Sequence, residues 1–280
     1  MKIIRVFPRR TSMTPIDADV RINSDPGLFD EADEVHVSCL FSWDKERAEK
    51  LADCWSAAGF KVKLGGVAFG SPSDEFIAGR YVKRGAVITS RGCPNRCWFC
   101  GVWRKEGALR ELPVQDGHIL LDNNILACSK AHIAAVFAML KRQPNRALLV
   151  GGLEAKILDD WRAEQLANLK PERMYFAYDT PDDRDPFIEA MCRLDRFGVC
   201  RSSRYCYCLC GFRGDTFEAA ERRIREIWQN GATPYAMLYR DESGATSPEW
   251  RRFQRQFARP AIAQAILRGK SKLRLKGAAE

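Results

Sequence analysis

Residues 86–103 read AVITSRGCPNRCWFCGVW. AVITS is short, apolar and rich in β-branched residues, the composition of a buried strand. Gly92, Pro94 and Asn95 then turn the chain into a loop. Inside that loop Cys93, Cys97 and Cys100 follow the pattern C-x3-C-x2-C. Three thiolates so close in sequence can wrap one metal centre. A structural zinc ion takes four ligands, and the next donor, His118, stands eighteen residues past Cys100, poorly placed to join them. A [4Fe–4S] cluster normally takes four cysteines. With three, one iron keeps an open position for a small molecule. The competing reading is a helix with three cysteines buried along one face, and the turn-forming residues argue against it. Arg91, Arg96 and Arg104 bring positive charge, which favours thiolates.

Outward from this loop the chain alternates strand and helix. Strands are expected at 86–90, 119–121, 146–150, 174–178, 203–209 and 233–238. Helices are expected between them at 131–141, 159–168, 186–197 and 216–229. Each strand pair is joined by a segment long enough for a crossover, so the sheet is expected to be parallel with helices outside it, open or curled into a partial barrel. In such sheets reactive groups sit beyond the carboxyl ends of the strands. Residues 242–250 read as a linker, and 250–267 as a helix broken or kinked at Pro260.

Upstream, a strand is expected at 2–7, a polar turn-rich stretch at 9–28, a strand at 34–39, an amphipathic helix at 44–58 stopped by Gly59, and a strand at 60–64. The last three form a βαβ unit. The organisation expected is therefore an N-terminal Rossmann-like unit at 1–80, the main α/β domain at 81–242, and a basic helical tail at 243–280.

With 280 residues, 46% of them apolar, the chain can build a sizeable core, and disordered or fibrous classes are excluded. No apolar run approaches a membrane span, and MKIIRVFPRR lacks the apolar stretch of a secretory signal. A cytoplasmic protein with no membrane partner is expected. Eleven cysteines, an odd number, then argue for metal or cluster chemistry over a disulfide framework. The net charge is +9, and nine Lys or Arg against one acid fall within residues 250–280. The body is nearly neutral, so the tail is a candidate surface for nucleic acid or another polyanion.

The cysteine loop resembles the signature of the radical S-adenosylmethionine (SAM) superfamily, C-x3-C-x-aromatic-C on the loop after the first barrel strand. Cys93, Cys97, Phe99 and Cys100 match each position. The resemblance implies a partial (β/α)6 barrel, a [4Fe–4S] cluster on Cys93, Cys97 and Cys100, and SAM chelating the fourth iron, with Phe99 beside the adenine. It implies that Gly151 and Gly152, after the third strand, approach the amino group of SAM; the usual acid after that pair is displaced by Leu153 to Glu154. It implies that Asp179, at the end of the fourth strand, meets the ribose. The implied reaction is reductive cleavage of SAM to a 5′-deoxyadenosyl radical that abstracts hydrogen from a substrate. A one-electron donor such as flavodoxin or ferredoxin would be the partner. The alternatives are a non-catalytic zinc or iron–sulfur protein that binds nucleic acid through its tail, and a degenerate barrel serving as a partner subunit.

The N-terminal unit resembles a shortened cobalamin-binding domain. The cobalt-binding motif D-x-H-x-x-G is not met, since Glu34 and Cys39 replace its aspartate and glycine around His36, and cobalamin is disfavoured. Cys206, Cys208 and Cys210 alternate along one strand and share a face; the choice lies between core packing and an auxiliary cluster or hydrogen-atom donor. Asp122, Asn123 and Asn124 follow the second strand and are candidates for polar substrate contacts or for turn chemistry.

Overall fold

A computed structural model describes residues 1–70, 76–241 and 243–269. The fold is mixed α/β with two parallel sheets, and the chain divides into two compact units, Met1–Ala86 with Asp241–Ala245, and Val87–Arg240 with the segment from Thr246.

The first unit is a four-stranded parallel sheet. It comprises β1 (Ile3–Phe7), β2 (Val20–Ile22), β3 (Glu34–Ser38), helix α1 (Lys45–Ala57) and β4 (Val62–Gly65), in the order β2-β1-β3-β4. The expected βαβ unit is β3-α1-β4. Strand β2 lies inside the stretch read as turns: only three residues pair, Arg5 with Val20 through Phe7 with Ile22, too short a run to show a period. Val35 and Val37 point to one face and pack with Leu51 and Trp55 of α1. Glu34 and His36 therefore occupy the other face. There both nitrogens of the His36 ring are engaged, Nδ1 at 2.6 Å from the Tyr81 hydroxyl and Nε2 at 3.0 Å from Glu34.

The second unit is built on a six-stranded sheet. Its elements are β5 (Ala86–Val87), β6 (Ser90–Arg91), α2 (Val102–Lys105), β7 (Arg110–Glu111), β8 (Ile119–Leu120), α3 (Lys130–Arg142), β9 (Leu148–Leu153), α4 (Asp160–Leu169), β10 (Arg173–Ala177), α5 (Arg184–Arg196), β11 (Arg204–Cys210), α6 (Phe217–Gln229), β12 (Thr233–Leu238), α7 (Pro248–Phe257) and α8 (Pro260–Leu267). The sheet runs β12-β11-β10-β9-β8-β5, so every neighbour is the next sheet strand in sequence. The first expected strand is split: β5 joins this sheet, whereas β6 leaves it to pair antiparallel with β7.

Crossovers of one hand along a sequentially ordered parallel sheet put the helices on one face. Met174, Phe176, Cys206, Cys208 and Cys210 lie on that face, in one core with Ile133, Leu166, Met191 and Ile224 of the helices. The three alternating cysteines are thus core side chains, and burial pushes their thiols far up, that of Cys208 to about 12. The opposite face carries Tyr175, Tyr207 and Tyr235, with Tyr175 and Tyr207 stacked at 4.7 Å between ring centres. Helix starts follow local chemistry: Ser129, Asp159, Thr216 and Ser247 each accept a backbone N–H from the first turn of α3, α4, α6 and α7.

The expected helix at 250–267 is two helices, α7 and α8, separated by extended backbone at Arg259, with Pro260 opening the second. Proline suits a first turn because it lacks the N–H that would be unpaired there. Both helices bury apolar residues in the core, Phe253 and Phe257 from α7 and Ala263 and Ile266 from α8. Lys270, Lys272, Arg274 and Lys276 of the expected basic tail lie outside the described residues.

Candidate functional site

The cysteine loop leaves the sheet through β6 and returns through β7, so a two-stranded antiparallel pair ties its base. Asp122, two residues past β8, fixes that base to the sheet. Its carboxylate accepts the Thr89 N–H at 2.6 Å, the Thr89 hydroxyl at 2.6 Å and the Ser90 hydroxyl at 2.8 Å. All three residues are buried. Asn123 accepts the Gly92 N–H at 3.0 Å. Gly92 has φ +82°, and a Cβ there would sit 2.2 Å from the Ala108 carbonyl oxygen, so the loop closes this tightly only on glycine. Two of the residues proposed as substrate contacts, Asp122 and Asn123, thus spend their side chains anchoring the loop.

Within the loop Cys93 and Cys100 are half-buried, Cys97 is exposed, and all three are free thiols. Trp103 Nε1 donates to the Cys97 carbonyl at 3.1 Å, and the Cys100 N–H donates to the same oxygen at 3.0 Å. Partial desolvation by the surrounding loop and the proximity of Cys100 and Cys93 push the Cys97 thiol up, exposed as it is, with Asp183 and Asp179 adding to the effect. Of the three arginines expected to favour thiolates, Arg91 turns to Glu106 at 3.0 Å and Arg104 to the Trp98 carbonyl at 3.0 Å.

The remaining groups converge from successive strand ends. Gly151 and Gly152 lie inside β9, not after it: the strand runs three residues further than its apolar pattern indicates. The register skips from Met174–Leu149 to Tyr175–Gly152, so Val150 and Gly151 form a bulge. The Tyr207 hydroxyl donates to the Val150 carbonyl at 3.0 Å. A Cβ on Gly151 would lie 1.8 Å from the Asp122 carbonyl oxygen, whereas one on Gly152 would meet nothing within 4 Å. Gly151 is a packing glycine; Gly152 borders open space.

Asp179 follows β10 and accepts the Leu209 N–H at 2.7 Å. Burial pushes its carboxyl up to about 6; the Leu209 N–H opposes this and Asp183 reinforces it. Asp183 accepts the Asp179 and Thr180 N–H groups at 3.1 and 2.9 Å. Glu154 accepts from Asn124 Nδ2 at 2.7 Å, and the same nitrogen lies 3.7 Å from Cys93 Sγ. Asn124 Oδ1 is buried with no hydrogen-bond partner among the described residues. Glu154 was legible through the resemblance as the displaced acid after the glycine pair, and Asn124 as a polar residue near the expected rim; no spacing rule joins the two.

Trp98, half exposed, links three loops beyond the carboxyl ends of the strands. It meets Phe99 edge-on at 5.2 Å, Phe212 beyond β11 at 5.5 Å and Tyr239 beyond β12 at 5.7 Å. Strands at the two edges of a flat six-stranded sheet lie about 24 Å apart. The loop after β5 nonetheless touches the loops after β11 and β12. A cavity of about 180 Å³ near Arg146, Lys170 and Cys200 lies at the opposite, amino ends of the strands.

Three free thiols on one tied loop are a soft donor set suited to an iron–sulfur cluster, and the orphaned Asn124 Oδ1 beside Cys93 suits a bound molecule that carries an N–H or O–H donor. Among the described residues no three His, Cys, Asp or Glu side chains stand close enough to hold a single metal ion. No helix among them is long and apolar enough to cross a membrane. No family model matches the chain, and no curated protein matches it.

Proposed function

We propose that the chain is a radical SAM enzyme, its second unit a partial (β/α)6 barrel with the site at the carboxyl ends of the strands. The observation that carries the reading is the C-x3-C-x-F-C loop on the carboxyl edge of a sequentially ordered parallel sheet, tied down by Asp122 and linked through Trp98 to Phe212. The contacts of Trp98 with Phe212 and Tyr239 support a curled sheet. When bound, a [4Fe–4S] cluster with SAM supplies one-electron cleavage of the sulfonium and a 5′-deoxyadenosyl radical for hydrogen abstraction.

The chain's own residues divide the work. Cys93, Cys97 and Cys100 would hold the cluster, and Asp122 and Asn123 keep their loop in place. Phe99 and Trp98 would form an aromatic wall beside it. Gly152 leaves room for a ligand along the β9 edge. Asp179 and the orphaned Asn124 Oδ1 offer acceptors to hydroxyl or amino groups. The stacked tyrosines beneath them line an interior face suited to an organic substrate.

The test is anaerobic reconstitution with iron and sulfide, followed by SAM and dithionite. Wild-type protein is expected to release 5′-deoxyadenosine and the Cys97→Ala variant none. A folded, fully reconstituted wild type that releases none overturns the reading. Zinc held by the same loop would favour the structural alternative.

A further inference from the structure

We propose that Asn124 is a positioning residue that donates an N–H···S hydrogen bond to Cys93 and raises the reduction potential of the cluster that this thiolate would hold. The inference rests on the cluster reading above. Asn124 is 3% exposed, and its Nδ2 has two partners, Glu154 Oε2 at 2.7 Å and Cys93 Sγ at 3.7 Å. A primary amide has two N–H bonds, so each partner receives one.

Local backbone chemistry does not account for this side chain. Asn124 precedes the single turn Ile125–Ala127 but makes no side-chain cap bond to it. Its orientation is chosen by Glu154. A carboxylate only accepts, so it selects the nitrogen end of the amide; the flipped form would set two oxygens face to face. The choice leaves Oδ1 buried without a partner among the described residues. An unsatisfied buried acceptor is costly. The arrangement persists because Glu154 holds it, and the consequence is an N–H aimed at sulfur.

A hydrogen bond to a cluster thiolate draws off negative charge. It therefore favours the reduced, more negative cluster over the oxidised one. The step concerned is addition of one electron from an external reductant to the oxidised cluster. Asn123 provides the contrast, because its side chain holds the loop through the Gly92 N–H.

The experiment is a redox titration with dithionite of the reconstituted full-length protein, without SAM, followed by electron paramagnetic resonance. Iron and sulfide contents are measured in parallel. The variants are Asn124→Ala and the shape-preserving Asn124→Asp. Both are expected to keep the cluster and to disfavour its reduction at least tenfold, a shift of about 59 mV to lower potential for one electron. Asn124→Asp sets a second carboxyl against Glu154, so the pair shares a proton, no N–H remains for the Cys93 sulfur, and a shift of similar size is expected. Wild-type potential in both variants overturns the proposal, and so does loss of the cluster in both, which would assign Asn124 a structural role. A wild type that assembles no cluster overturns the functional reading and this inference with it, so the two failures are distinguishable.

Discussion

Asp122 is buried and Asp179 half-buried, and the donors around them differ. Asp122 receives three hydrogen bonds from Thr89 and Ser90, all within the interior. Asp122→Ala would leave those three donors unsatisfied. Hydrogen bonds to a charged group contribute roughly 1.5–3 kcal/mol each, and their losses do not add simply. A loss of at least about 3 kcal/mol in urea unfolding is expected, and an unchanged midpoint would show that the loop is anchored elsewhere. Asp179 has a single donor, Leu209 N–H, and burial leaves its carboxyl at about 6, above the ordinary 3.8. A carboxyl raised in the folded state binds its proton more tightly folded than unfolded. Its contribution to stability is therefore full below about pH 3.8 and lost as pH rises through 6. Asp179→Asn keeps an acceptor for Leu209 and removes the charge. The variant is expected to be more stable than wild type at pH 7, with the gap closing as pH falls toward about 4. Parallel stability curves across that range would refute this account.

Strand β9 carries two adjacent glycines with different tasks. The Gly151 Cβ position is 1.8 Å from backbone oxygen, so Gly151→Ala must push β9 away from the end of β8. Gly152→Ala meets nothing and faces the open side. The expected pattern is a thermal midpoint lowered by several degrees for Gly151→Ala and, on the function proposed above, a wild-type midpoint with weakened SAM binding for Gly152→Ala. Calorimetry and equilibrium dialysis read the two arms, and equal midpoints would remove the distinction. The glycine pair was visible in the sequence, but the bulge was not, because a bulge is defined by the partner strand. The alternating cysteines of β11 were likewise legible as sharing a face. Which face met the helices depended on the handedness of the whole sheet. Strand β2 and the split of β5 from β6 escaped for a simpler reason: runs of two or three residues have no period. Long elements with regular apolar spacing, α3, α5, α6 and β12, stand within two residues of where the spacing puts them. The cysteine loop was legible from its turn residues Gly92, Pro94 and Asn95 together with the cysteine spacing. Its anchoring by Asp122 and Asn123 was not, since those residues lie about thirty positions away and are joined to it only by the sheet.

At the scale of the molecule the question is what the basic C-terminal region does. Five of its nine Lys and Arg, namely Arg251, Arg252, Arg255, Arg259 and Arg268, fall within or beside α7 and α8. These helices are not a detachable tail, since Phe253 and Phe257 are almost fully buried, as is Ala263. Truncation before residue 250 would strip those side chains from the core, where loss of a single buried Phe costs about 3–5 kcal/mol. It is expected to abolish cooperative unfolding and would say nothing about charge. Charge reversal at the exposed surface separates the two effects. Arg251 and Arg255 lie one turn apart on the solvent side of α7, opposite Phe253 and Phe257. Arg251→Glu with Arg255→Glu should leave the core intact and the thermal midpoint close to wild type. If this surface docks nucleic acid, binding of a single-stranded oligonucleotide should weaken uniformly across sequences. The slope of log affinity against log salt should then flatten by about 0.7 for each phosphate of the single strand no longer neutralised, hence by about 1.4 in the double variant. A slope equal to that of wild type would place the polyanion surface elsewhere or remove it altogether.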